Sequence, residues 1–149
     1  MKAITIWQPW ATLVITGAKS FETRSWAPQH RGPLVIHAGK KWTAALKDLC
    51  FTEPFCNALS IAAALTKWTE TGPELPLGAL LGVVEVVECH PTDKVRGFTM
   101  KFGELAFGDF TDGRFAWELV VCKRFAKPIP YRGHQGMWDV SDELLVELR

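Results

Sequence analysis

The chain has 149 residues, of which 48% are hydrophobic and 22% charged, a balance typical of globular proteins and not of disordered chains. Seventeen Lys and Arg residues against sixteen Asp and Glu residues give a net charge of +1, which disfavours a protein that holds long nucleic acids through a strongly basic surface. No stretch approaches the roughly 18 unbroken apolar residues of a membrane span. The first residues also lack the apolar run of a secretory signal, so we expect a cytoplasmic protein that does not bind membranes.

The apolar periodicity predicts an α+β domain. Alternating apolar residues and turn residues predict strands at 2–6, 20–24, 33–38, 79–89 and 114–125. Helical spacing predicts helices at 10–16, 42–50 and 54–67, irregular helix within the loop 91–113, and a last helix after Ser141. Pro128 and Pro130 predict an edge or a connection after the last long strand. Because no regular β-α-β alternation occurs and no linker divides the chain, we expect one domain over 1–149, built on a mostly antiparallel sheet or small barrel.

The cysteines and histidines do not form a metal-binding pattern. None of the four cysteines belongs to a C-x-x-C pair, and the four histidines do not complete a zinc spacing with them. We therefore expect free thiols, no metal and no other cofactor.

The segment from Gly17 to Arg24 is the first that could carry chemistry. Lys19 stands where a helix gives way to a strand, and the period of two along that strand places Ser20, Glu22 and Arg24 on one face. A lysine, a carboxylate and an arginine would thus converge within a few ångströms. The structural alternative is an exposed strand with a solvated ion pair worth less than about 1 kcal/mol.

Tryptophan is abundant around that segment. The chain has seven Trp residues, of which Trp7 and Trp26 flank turns and are candidates for stacking on a nucleobase. Trp10 shares the apolar face of the first helix, and we expect it in the core.

Two strand residues are further candidates. Glu85 lies in the row formed by residues 81, 83, 85, 87 and 89, where a carboxylate is costly unless it is paired, so it is either catalytic or part of a structural ion pair. His37 ends an apolar strand, where it either contributes to a binding site or forms structural hydrogen bonds.

With these residues assembled, the chain resembles the ASCH domain family, whose members share a G-x-K-x-x-E-x-R motif. That motif stands complete here as Gly17, Lys19, Glu22 and Arg24. The resemblance extends to residues 6–11, 31–38, 81–84, 115–119 and 133–138. Residues 42–75 lie outside it and are predicted to be a helical insertion, either a lid over the cleft or a surface for a partner.

The resemblance implies a PUA-like fold, a small mixed or antiparallel β-barrel with flanking helices and with the motif in a cleft between helix and barrel. The functions proposed for such domains are RNA binding, ribonuclease activity and, in small bacterial relatives, hydrolysis of N4-acylcytidine by a Lys, a Thr and a Glu. Lys19 matches that Lys, but Glu22 occupies the position of the Thr. The family's Glu has no secure match here, and Glu85 is a choice made on physical grounds.

Two functions from different classes follow. The first is an amidohydrolase for N4-acylated cytidine or a similar modified nucleoside. In it Lys19, its pKa lowered by burial beside Arg24, is the general base, and Glu22 or Glu85 returns the proton to the leaving amine. Arg24 or a backbone N–H stabilises the oxyanion, and Trp7 or Trp26 stacks on the base.

The second function is an RNA-binding module or ribonuclease that uses the same basic, Trp-lined cleft. Residues 1–50 hold seven Lys and Arg against two acidic residues, so a local basic face remains possible despite the neutral whole. The phosphate contacts would be Arg31, Lys40, Lys41 and Lys47. Such binding weakens steeply with salt, whereas hydrolysis of a free nucleoside does not.

Overall fold

A computed structural model describes residues 1–62, 67–98, 100–141, 143, 144 and 146. In chain order the elements are β1 Lys2–Ile6, α1 Trp10–Ile15, β2 Phe21–Arg24, β3 Gly32–Ala38, α2 Ala44–Leu49, α3 Phe55–Ile61, β4 Lys67–Thr69, β5 Gly72–Glu74, β6 Ala79–Pro91, α4 Thr92–Val95, α5 Glu104–Phe107, β7 Phe115–Pro130 and β8 Met137–Asp139. Within these described ranges, every helix is too short or too polar to cross a membrane.

Six of the strands form one curled, mixed sheet, which confirms the expected fold class. The strand order is β2-β7-β6-β3-β1-β8. The pair β1 and β3 is parallel and all other neighbours in this sheet are antiparallel. Strands β4 and β5 form a separate antiparallel hairpin. The sheet therefore ends in the short strand β2 on one side and in β8 on the other.

Both faces of the central strands are buried, which explains their sequences. On one face, α1 packs its apolar residues against Ile36, Val84 and Trp117. On the other face, Val35 and Leu80 join the terminal segment that follows β7. A strand covered on both faces needs apolar residues at consecutive positions, which is why residues 34–36 are Leu, Val and Ile without alternation.

Several predicted boundaries were wrong. The helix predicted at 54–67 ends at Ile61, and Lys67 already belongs to β4, while residues 63–66 lie outside the described ranges. The strand predicted at 114–125 continues to Pro130, because four residues of β7, 125–128, lie opposite the single residue Leu81 and so accommodate a proline that could not join a regular ladder. Strand β8, with three residues, was too short to show an alternation. The helix predicted after Ser141 falls largely on residues outside the described ranges.

At Gly82, α1 and strand β7 both approach β6 closely. A Cβ atom at this position would lie 2.3 Å from the Lys123 carbonyl oxygen and 2.6 Å from Ile15 Cδ1. Only glycine therefore lets the helix and the neighbouring strand approach the centre of β6 this closely.

We predict that Gly82→Ala lowers the free energy of unfolding by about 3 kcal/mol, because the backbone contact cannot relax without displacing β7. Urea denaturation followed by tryptophan fluorescence measures the change. Gly97→Ala is the control, since its Cβ would meet only Lys94 O at an ordinary 3.5 Å. Equal stabilities of the two variants would contradict the packing assigned to Gly82.

Candidate functional site

A cleft of about 930 Å³ opens between the end of β1, the start of α1, strand β2 and two loops. It is lined by residues 5–7, 10, 22–24, 106–109, 114 and 134–136. Its size lies within the range of small-molecule sites, and its walls combine aromatic rings with a few charged groups, as is typical of such sites. The cleft is therefore the candidate binding site of this domain.

A row of alternating charges runs along β2 into this cleft. Glu22 Oε1 lies 3.8 Å from Lys19 Nζ, and Glu22 Oε2 lies 3.6 Å from Arg24 Nη2. The same Arg24 nitrogen donates a hydrogen bond of 3.0 Å to the carbonyl oxygen of Thr5. The period of two correctly predicted that Glu22 and Arg24 share a face. Lys19 approaches Glu22 from two residues before β2, so the carboxylate is held between two cations.

Lys19 is buried behind this row and does not line the cleft. Its side chain is 1% exposed, and its ammonium group donates a hydrogen bond to the carbonyl oxygen of Phe21. Burial lowers the pKa of Lys19, an effect opposed by the nearby carboxylates of Glu22 and Glu104. A ligand in the cleft would meet Glu22 and Arg24, whereas Lys19 contacts it only through Glu22.

The outer edge of β2 is closed by side chains in place of a further strand. At Phe21 the main-chain N–H donates to a carboxylate oxygen of Glu104 at 2.8 Å, and the carbonyl oxygen accepts from Lys19. Glu104 also accepts from the Ser20 N–H at 3.0 Å, and it is only 1% exposed. A buried carboxylate and a buried ammonium thus take the place of one residue of a neighbouring strand.

The same arrangement recurs two residues later at Thr23. Its N–H donates to Glu22 Oε1 at 3.0 Å, and its carbonyl oxygen accepts from Arg114 Nη2 at 3.4 Å. Arg114 is held in turn by Asp109, whose carboxylate lies 3.5 Å from Arg114 Nε. Hydrogen bonds donated by Thr111 lower the pKa of Asp109, and the charge of Arg114 adds to the effect.

The sequence analysis missed Glu104, Asp109 and Arg114 as site residues. They belong to or adjoin a loop without periodicity. Glu104 accepts its hydrogen bond from the main-chain N–H of Ser20, which is 84 residues away in sequence. The turn residues Gly103 and Gly108 signalled only that the chain bends there. Nothing in the sequence indicated that this loop covers the edge of β2.

Two tryptophans line the cleft: Trp7, as predicted, and Trp10 in place of Trp26. Trp7 is 49% exposed at its mouth, and Lys41 Nζ lies 3.9 Å from its ring centroid. Trp10, expected in the core, is half-buried and lines the cleft. Trp26 lies outside the lining, packed edge-to-face on Trp117 at 4.8 Å.

The structure does not bring Glu85 to the cleft. The sequence neighbours of Glu85, Val84 and Val86, are buried, while Val87 of the row predicted to be apolar is 47% exposed. Glu85 is half-buried in the sheet opposite Pro33. Residues 79–82 are buried consecutively because the start of β6 is covered on both faces, so the apolar pattern could not show which face Glu85 occupies.

The remaining predicted residues do not line the cleft. Gly17 and Ser20 line a second cavity of about 480 Å³, together with Lys19 and Glu104. Ser20, predicted to share a face with Glu22 and Arg24, precedes β2, so the alternation of that strand does not extend to it. His37 is buried behind the cleft, where one ring nitrogen lies 3.1 Å from Thr5 Oγ1 and the other 2.8 Å from the Tyr131 carbonyl oxygen.

The segment 42–75 supports the cleft from behind. Phe55 of α3 packs edge-to-face on Trp10 at 6.1 Å and on Phe107 at 5.0 Å between ring centroids. Both of those rings line the cleft, whereas no described residue of 42–75 does. We therefore infer that the described part of segment 42–75 supports the rings of the cleft wall and does not form a lid over the cleft.

The predicted phosphate contacts are not equivalent. Arg31 is paired with Glu88 at 3.0 Å, whereas Lys41 lies against the Trp7 ring at the cleft.

Within the described ranges, no group of three or more His, Cys, Asp or Glu side chains is placed to hold a metal ion.

The curled mixed sheet, with the charged edge strand beside a cleft at one end of α1, defines a PUA-like domain. The family model described as the ASCH domain matches residues 4–129, and the chain belongs to this family.

The chain is also similar to part of two longer proteins. Activating signal cointegrator 1 of Homo sapiens and that of Mus musculus are each 25% identical to the chain over 146 residues. The match covers 95% of this chain and 22% of each relative, so the chain spans about a fifth of their length.

Solved structures share the fold. The ASCH protein of Zymomonas mobilis superposes with a TM-score of 0.55 at 13% identity, covering 99% of this chain and 92% of the other. A tyrosine-to-phenylalanine mutant of that protein gives a TM-score of 0.54 at 13% identity, covering 99% and 94%. At this identity the likeness establishes the architecture alone.

We predict that Glu104→Gln lowers the free energy of unfolding by about 2 kcal/mol, because a neutral amide replaces a buried carboxylate that accepts from two main-chain N–H groups. Amide hydrogen exchange at Ser20 and Phe21 should accelerate in the same variant. Glu74→Gln, on the exposed side of β5, is the control and should change stability by less than about 0.5 kcal/mol. Unchanged exchange at both amides would show that Glu104 does not hold the edge of β2.

A second prediction concerns His37, whose pKa is lowered by burial from its ordinary 6.5. Above pH 6.5 neither the folded nor the unfolded state is protonated at this position. As the pH falls below 6.5, the unfolded state gains the proton first, so the free energy of unfolding falls by at most about 1.4 kcal/mol per pH unit until the folded-state pKa is reached. Urea titrations between pH 7.5 and 5 should show a shallower decline for His37→Gln than for the wild type. Parallel declines would exclude His37 as a source of acid sensitivity.

Proposed function

We propose that the chain hydrolyses the exocyclic amide of an N4-acylated cytidine or a similar modified nucleoside bound in the cleft. The observation that carries this proposal is the Glu22 carboxylate, 8% exposed, on the wall of a cleft with aromatic sides. A carboxylate fixed between two cations in a nucleoside-sized cleft suits proton transfer at an amide. Membership of the ASCH domain family supports the choice of substrate class.

The lining supports binding of a nucleobase. Trp7 and Trp10 offer aromatic faces, and the charges of Glu22 and Arg24 offer an acceptor and donors for the polar edge of the base. The charged side chains that line the cleft, Glu22, Asp109, Arg24 and Arg114, balance to zero formal charge. The lining itself therefore suits the uncharged base and ribose of a ligand and supplies no net positive charge for a phosphate.

The reaction follows from the positions of Glu22 and Arg24. Glu22 takes a proton from a water molecule, whose oxygen attacks the acyl carbonyl carbon. Arg24 stabilises the oxyanion that forms. Its Nη2 is fixed on the Thr5 carbonyl oxygen, and its Nε and Nη1 have no hydrogen-bond partner among the described residues. The intermediate collapses, the C–N bond breaks, and Glu22 returns the proton to the departing N4 amine. The products are cytidine and the free acid.

Lys19 acts in this scheme as a positioning residue. With its ammonium on the Phe21 carbonyl oxygen and 3.8 Å from Glu22, it fixes the carboxylate without reaching the acyl group. This differs from the mechanism expected from the sequence, in which Lys19 is itself the general base.

The alternative is an RNA-binding module or a ribonuclease that uses the same cleft. It is favoured by the Trp7 ring, half exposed at the cleft mouth beside a lysine. RNA binding predicts an affinity that falls about tenfold per tenfold rise in salt for each phosphate contacted, and no release of cytidine from an acylated nucleoside.

We predict that the purified protein releases cytidine from N4-acetylcytidine, detected by chromatography, and that Glu22→Gln slows the release at least about 100-fold, because the amide cannot accept the proton. The variant should fold normally, since the Gln oxygen can still accept from the Thr23 N–H. Glu74→Gln should retain full activity. An active Glu22→Gln protein would exclude Glu22 as the base. If the wild type releases no cytidine from the acetyl or longer N4-acyl substrates, the hydrolase proposal is wrong.

A further inference from the structure

Lys41 differs from the other cations of the cleft in having no anionic partner among the described residues. Arg24 is engaged by Glu22 and the Thr5 carbonyl oxygen, and Arg114 by Asp109. Lys19 is sealed behind the wall. The ammonium group of Lys41, by contrast, has no described carboxylate within 4.0 Å and lies 3.9 Å from the centroid of the Trp7 ring.

The position of Lys41 joins this charge to a stacking surface. Trp7 lines the mouth of the cleft and is 49% exposed, so its ring offers a stacking surface close to solvent. A nucleobase that enters the cleft along Trp7 leaves its ribose at the mouth, beside Lys41. The side chain of Lys41 is exposed and flexible, so its ammonium group can leave the ring for a stronger anionic partner.

From this juxtaposition we propose that Lys41 binds a phosphate on the ribose, so that the preferred ligand of the cleft is a phosphorylated nucleoside. The inference rests on the proposed function only in assuming that a nucleoside occupies the cleft. It does not require that the amide be hydrolysed. The phosphate belongs either to a free nucleotide or to an RNA chain, and the chemistry at Lys41 is the same in both.

Lys40 provides a matched comparison. It adjoins Lys41 in sequence and is equally exposed, but its aliphatic part packs on Gly78, away from the Trp7 ring. A diffuse attraction of phosphate to the basic surface would involve both lysines. A defined contact at the cleft mouth involves Lys41 alone.

The test is calorimetric titration with cytidine, cytidine 5′-monophosphate and a four-nucleotide cytidine RNA at 50 and 200 mM salt. We expect the monophosphate to bind the wild type about tenfold more tightly than cytidine at low salt, with a smaller advantage at high salt. Lys41→Gln should abolish this preference and change the cytidine affinity less than twofold. Lys40→Gln should leave the preference intact.

Three outcomes would overturn the proposal: equal affinities of wild type for cytidine and its monophosphate, equal losses in the two lysine variants, or no measurable binding of either ligand. If RNA binds more than tenfold more tightly than the monophosphate, the phosphate belongs to an RNA chain, and otherwise to a free nucleotide. A retained phosphate preference without release of cytidine from N4-acetylcytidine would refute the hydrolase alone.

Discussion

The site depends on the hydrogen bonding of one short edge strand. An edge strand presents main-chain groups that need partners, and most proteins leave them to water or cover them with another element. In β2 the outward-facing groups of Phe21 and Thr23 are instead paired with charged side chains. Lys19 and Glu22 of the family motif are two of these side chains, so the motif holds the strand together as well as supplying charge to the cleft. Desolvating four charges at one edge is costly, and the main-chain hydrogen bonds they form offset that cost.

Because the motif residues both stabilise β2 and surround the cleft, Lys19 and Glu22 differ in whether a ligand can reach them. Lys19 has its ammonium group committed to the main chain and its side chain excluded from the cleft. Glu22 uses one oxygen for the Thr23 N–H and keeps the other toward Arg24, at the cleft wall. The carboxylate at the wall is therefore held in place by a lysine that does not itself reach the cleft.

The sequence was informative where a single period governs a segment. The strand of the motif alternates over four residues, so spacing could place Glu22 and Arg24 on one face, whereas Lys19 precedes the strand and reaches Glu22 from the turn after α1. Glu85 was placed wrongly because residues 79–82 of β6 are buried on both faces, so the apolar pattern does not show which face a later residue occupies. Glu104 and Arg114 could not be found at all, since contacts across 84 and 91 residues depend on how an aperiodic loop folds over the sheet edge. Trp10 packs against the core as its helical spacing predicted, but that spacing could not show that a cleft opens beside the same ring.

The packing of Phe55 has a consequence for how the domain can diversify. One ring, supplied by α3, packs on both Trp10 and Phe107. Replacing that ring with a smaller or larger side chain would alter two surfaces of the binding space at the same time, while leaving the charged strand untouched. The ligand selectivity of the cleft could thus change by substitutions in a segment that does not contact the ligand. Homologous domains with unrelated sequences at this position would then differ in the shape of molecule they accept and share the same charged strand.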